Sequence, residues 1–165
     1  MNIELFGLII DLVSALAVLA TLIYLSKQIK QSNKLAKSQV RQSMSEHGQA
    51  ELYQLSGDWE LANILFFKES PLSLEQRSKL NFFLTSAMRQ RELEWHQYLD
   101  GIISEDVYKA YHGVITIHLG QQKTRDWWNK VGKLAFDSKF VTEVDALLEA
   151  TPLISGFEGL KTLEI

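Results

Sequence analysis

From Leu5 to Leu25 the chain runs for 21 residues in which Asp11, Ser14, Thr21 and Tyr24 carry the only polar side chains. At about 1.5 Å of rise per residue, a helix of that length covers the roughly 30 Å of hydrocarbon in a bilayer. The run therefore predicts a transmembrane helix and sets the anchor at residues 1–26. A cleaved signal peptide fits poorly, because such peptides place positive charge ahead of a shorter apolar run. Here the only early charge is Glu4, and the cations come afterwards.

Those cations are Lys27, Lys30, Lys34, Lys37 and Arg41, with no acid among them before Glu46. Cations flanking a span are retained on the cytoplasmic side, so the expected orientation is N-terminus outside and C-terminal domain in the cytoplasm. Lys27, Lys30 and Lys34 also fall where each can gain about 1 kcal/mol from anionic lipid headgroups. Lys37 and Arg41 read as a solvated helix face. No proline or glycine interrupts the chain between Gly7 and Gly48. The span is thus expected to continue as a juxtamembrane helix over 27–57, ended by Gly57, with a thin apolar edge through Ile29, Ala36 and Val40.

Asp11 is the residue to explain, since an ionisable group inside a span costs about 2.5–3.5 kcal/mol on insertion scales and usually faces protein or water. Gly7, Ser14, Thr21 and Gln28 recur every seven residues, and Asp11 lies four after Gly7, so these five share one stripe of a helix. Small residues let helices approach, polar ones hydrogen-bond across the contact, and a seven-residue period keeps a seam in register. The stripe predicts a homo-oligomer. A sharper version makes it the lining of an ion channel, with Asp11 as a ring of carboxylates. The plainer alternative is an Asp11 that snorkels to water beside a chance repeat.

Beyond the collar the pattern is helical throughout. Asp58 caps a short helix to about Lys68, and Pro71 forces a break. Ser73-Leu-Glu-Gln76 reads as a capping box opening a long helix to about Asp100, with Leu80, Phe83, Leu84, Ala87, Met88, Leu93 and Trp95 toward the core and Gly101 as its stop. Ser104 starts the next helix, which Gly120 closes; Thr124 begins one reaching Phe136; Asp137 begins the last. No alternating strand pattern is present. The reading is all-α: an N-terminal transmembrane helix continuing into a long helix, then a compact helical bundle over 58–150 and a tail over 151–165.

The chain has no cysteine, which removes disulfides, thiolate metal sites and cysteine nucleophiles. Glu92 and His96, four apart on one helix, are the weak candidates for a metal, but the Glu-x-x-His spacing of carboxylate-bridged di-iron bundles is missing because Leu93 intervenes and no second copy exists. Ion pairing is the simpler role for both. The tyrosines and tryptophans fall at helical spacing, which argues for core over a ligand cage. No phosphate-binding loop, nucleophile triad or zinc-protease helix occurs, so no catalytic residue and no cofactor is indicated. After Arg41, 18 acidic side chains stand against 12 basic ones, a balance that repels nucleic acid.

Residues 20 to 31, Ala-Thr-Leu-Ile-Tyr-Leu-Ser-Lys-Gln-Ile-Lys-Gln, together with Asp58-Trp-Glu-Leu-Ala, Arg91-Glu-Leu-Glu-Trp-His-Gln-Tyr, Asp100-Gly101 and Asp126-Trp127-Trp128 followed by Phe140, occur in an order more specific than any one of them. On these the chain resembles a group of short, uncharacterised bacterial proteins with one N-terminal span and a small helical domain. The resemblance covers most of the chain up to Thr151 and implies an inner-membrane location; it carries no activity with it. The expectation that follows is a membrane-anchored, self-associating structural or signalling protein whose domain has room for an unknown protein partner. A membrane-anchored ligand-binding protein or enzyme is the alternative from another class.

Overall fold

In a computed structural model, residues 3–68 and 71–154 are described. They form six helices and no strand: α1 (Ile3–Gly57), α2 (Trp59–Phe66), α3 (Leu74–Leu99), α4 (Glu105–His118), α5 (Gln122–Lys130) and α6 (Ser138–Ala150), with a 3-10 turn at Gly132–Ala135 between the last two. The long N-terminal helix followed by a helical bundle is the architecture expected from the sequence. Residues 155–165, most of the expected tail, lie outside the described residues.

Two compact units divide between Arg41 and Gln42, so the last turns of α1 belong with the bundle. Up to Arg41 no residue of α1 is buried. In the second unit Met44 is buried and helps to build the core with Ile64, Leu84, Met88, Ile115 and Trp128. Within the bundle α3 packs most extensively on α4, and it also meets α2; α4 meets α6.

The caps explain where several helices begin. Asp58 accepts a hydrogen bond from the Leu61 amide at 3.0 Å. Ser73 and Gln76 form the reciprocal capping box, each side chain accepting from the other's backbone N–H at 3.2 Å. The Asp137 carboxylate accepts from the amides of Lys139 and Phe140. After α3 the chain turns at Gly101, whose φ of 68° is costly for a residue with a Cβ.

Three local expectations change. The helix expected from Thr124 starts earlier, at Gln122, because Thr124 is buried and turns its hydroxyl to Gln121 O at 2.9 Å. It also stops at Lys130 and tightens into the 3-10 turn instead of continuing to Phe136. There Gly132 lies under two indoles, and an added Cβ would stand 2.8 Å from Trp128 and 3.0 Å from Trp127. Leu93, expected in the core, is 48 % exposed, while Arg91, Glu92 and Glu94 beside it are buried. The core line of α3 advances by three or four residues from Leu84 through Met88 to Arg91 and Trp95, and Leu93 falls well off it.

Candidate functional site

The N-terminal part of α1 is one helix long and apolar enough to cross a membrane. Its large apolar side chains from Leu5 to Leu25 range from 49 to 68 % exposed, and none packs into a protein core. Helical geometry sets Gly7, Asp11, Ser14, Thr21 and Gln28 on one face, within an arc of about 100°. Two of them are satisfied locally: the Thr21 hydroxyl donates to Ala17 O at 2.8 Å, and the Gln28 amide donates to the Tyr24 hydroxyl at 2.8 Å. Asp11 has no hydrogen-bond or ion-pair partner among the described residues. Lys27, Lys30 and Lys34 are exposed on the same helix.

The second unit holds a constellation that motif reading did not isolate. Arg91 and Glu94 of α3 are 3 % and 1 % exposed, and the Arg91 Nη2 lies 3.2 Å from Glu94 Oε1. The guanidinium carbon sits over the Tyr111 ring, 5.7 Å from its centroid. His118, the last residue of α4, is 2 % exposed and pairs through Nε2 with the carboxylate of Glu51, near the C-terminal end of α1. Beside Glu51 a cleft of about 180 Å³ opens, lined on its polar side by His47, Gln54, Ser86 and Gln90.

Electrostatics separate the two carboxylates. Burial pushes Glu51 upward, but the hydrogen bond and charge of His118, with Arg91 behind them, outweigh it and hold the group below the usual carboxylate range. At Glu94 burial prevails over the opposing pull of Arg91 and Gln90, and the group titrates above that range. Nε and Nη2 of Arg91 and Nδ1 of His118 have no hydrogen-bond partner among the described residues. These side chains form one cluster of charges. What it does is tie the last turns of α1 to α3 and α4 through charges removed from water.

A second polar knot lies where α3, α4 and α6 meet. Glu143 accepts hydrogen bonds from the Trp95 indole and the Tyr108 hydroxyl, and His112 stands 3.5 Å away. Tyr98 stacks on Tyr108 with ring centroids 4.5 Å apart. Burial and the neighbouring Glu143 raise the Tyr108 phenol far above its ordinary value, so it stays a neutral donor. Burial lowers His112 despite Glu143. The buried Trp95 and Tyr108 thus place their polar hydrogens on one carboxylate, that of Glu143.

Glu92 and His96 do not converge on a common point. Both Glu92 oxygens are engaged at 2.6 Å, one with Arg89 Nη1 and one with the Asp137 amide, so the carboxylate joins α3 to the start of α6. His96 is exposed and packs edge-on against the Trp95 ring. Among the described residues no three His, Cys, Asp or Glu side chains are grouped to hold a metal.

Arg91 and Glu94 stand three apart in one quoted motif, but nothing local joins them to Glu51 and His118, which are remote in the chain. The available signal was periodicity, which puts Arg91 and Trp95 on the core line of α3. No family model, curated protein or solved structure matches the chain.

Proposed function

We propose that this is a single-span inner-membrane protein, N-terminus outside, that self-associates through the Gly7, Asp11, Ser14, Thr21 and Gln28 face of α1 and holds its helical domain in the cytoplasm as a structural or signalling module. One observation carries the reading: an uncovered apolar helix with a single unpartnered carboxylate on its small-residue face. Apolar surface on this scale calls for lipid or protein around it, and a carboxylate at such depth calls for shelter, which identical helices would supply.

The absence of native cysteine makes the test direct. Ser14→Cys and Thr21→Cys, on the seam, are expected to form disulfide-linked dimers in native membranes, whereas Leu16→Cys and Ile23→Cys, on the opposite side, are expected to remain monomeric. Monomer at all four positions overturns self-association through this face. A C-terminal reporter active only in the cytoplasm checks the orientation.

The unpartnered Asp11 also favours a second reading, in which the assembled seam encloses an ion-conducting path. Its expected signature is cation flux in reconstituted vesicles that Asp11→Ala abolishes; flux unchanged by that substitution removes the proposed lining.

A further inference from the structure

Between the N-terminal part of α3 and the length of α5 runs a groove of about 720 Å³, a size within the roughly 300–1,000 Å³ of small-molecule sites. Leu80 and Trp127 form its floor, and Leu74, Phe82 and Val131 its walls. Leu74 and Phe82 are each 73 % exposed, so they contribute their apolar area to the groove and not to the core.

Several polar groups along it already have partners. The Trp127 indole N–H donates to Asn81 Oδ1 at 2.8 Å. The Ser78 hydroxyl donates to Leu74 O, and Asp126 accepts from Gln122. An extended peptide lying here would find few partners for its own N–H and C=O groups, which an apolar surface leaves unsatisfied at a cost. An acyl chain has no such requirement.

Charge narrows the occupant further. Arg77 from α3 and Lys130 from α5 line the groove against one carboxylate among the described residues, Asp126; Lys123, also in the lining, has its ammonium engaged with Lys68 O at 2.6 Å. The domain as a whole has the opposite balance, with acids in excess. A local cationic rim around an apolar floor fits a molecule with an anionic head and a hydrocarbon body. We infer that this groove is a binding site for a free single-chain carboxylate of the fatty-acid class. The inference does not depend on self-association or on the seam.

The test is photolabelling of the full chain in phosphatidylcholine nanodiscs with a tetradecanoic acid that carries a diazirine, followed by peptide mapping. Labelling is expected on the segments around Leu74 to Phe82 and Trp127 to Val131, and free dodecanoate is expected to compete it away. The exposed pair Arg77→Glu with Lys130→Glu should lower groove labelling by about tenfold, while Arg77→Lys with Lys130→Arg should retain it. Three results overturn the assignment: labelling confined to α1, equal groove labelling by the methyl ester of the probe, or displacement by phosphatidylglycerol in the disc as effective as by dodecanoate. The last would assign the groove to a membrane lipid instead.

Discussion

The apolar stretch of α1 and the helical bundle arrange the same kinds of side chain in opposite ways. Along α1, leucine, isoleucine and valine face outward, and one carboxylate stands among them without a partner. In the bundle the apolar side chains turn inward, yet an arginine, two glutamates and a histidine go in with them. The contrast shows that burial by itself does not sort residues; what matters is whether each group finds partners in its surroundings. An outward apolar face needs an apolar medium, and an inward charge needs a counter-charge close enough to offset its lost hydration.

The most severe way to break this comparison is to remove the counter-charge inside the bundle. Arg91→Met leaves Glu94 buried without its cation and weakens the field that holds Glu51 ionised. The expected loss is about 3–5 kcal/mol in thermal or denaturant unfolding of the detergent-solubilised protein. Pairing it with Glu94→Leu should recover a large part, because an apolar pair of similar volume no longer carries an uncompensated charge. If the double variant is as unstable as the single one, the pair is not acting as a unit.

That arginine also shows how far the sequence could be read. The apolar run, its basic collar, the capping box at Ser73 and Gln76, and the stops at Gly57 and Gly101 are local features, set by neighbours within a turn or two. All of them were legible. Leu93 is apolar but lies off the helical phase of the core line, and the charges buried beside it find partners in residues remote in the chain, Glu92 at the Asp137 amide and Arg91 at the Tyr111 ring. The groove around Trp127 was equally out of reach, since its two walls are some fifty residues apart and only packing brings them together.

A second, smaller break tests close packing in place of charge. Gly132→Ala would put a Cβ within 2.8 Å of the Trp128 ring, a side chain with no exposed surface. Displacing that indole should cost about 1–3 kcal/mol. The substitution acts in the bundle, so the cross-linking pattern of α1 should not change.

A third step down is the capping box. Ser73→Ala removes the acceptor for the Gln76 amide and should cost about 1 kcal/mol by the same unfolding measurement. Because Ser73 is exposed, no cavity term adds to this loss. A loss approaching that of Arg91→Met would mean that the start of α3 does more than end a helix.

The smallest net effect is expected from acid, because the two carboxylates beside Arg91 pull in opposite directions. Glu51 titrates below its ordinary value of 4.5 in the folded state, so the stability it contributes is present above that value and disappears as the pH falls through its lower folded pKa. Glu94 titrates above 4.5, so folding carries a penalty that is absent at low pH and sets in as the pH rises through its higher folded pKa. Acidification from neutrality should first relieve Glu94 and then disable Glu51, which places a shallow maximum of their joint contribution near pH 4.5. Arg91, Gln90, His47 and His118 face the same pair, so the useful quantity is the difference between each variant and the parent across the pH series. Subtracting the Glu94→Gln curve from the parent curve should reveal a gain on acidification above 4.5, and subtracting the Glu51→Gln curve should reveal a loss below it. Two difference curves of the same sign would mean that the carboxylates share one environment and that the polarity of the bundle's interior is uniform around Arg91.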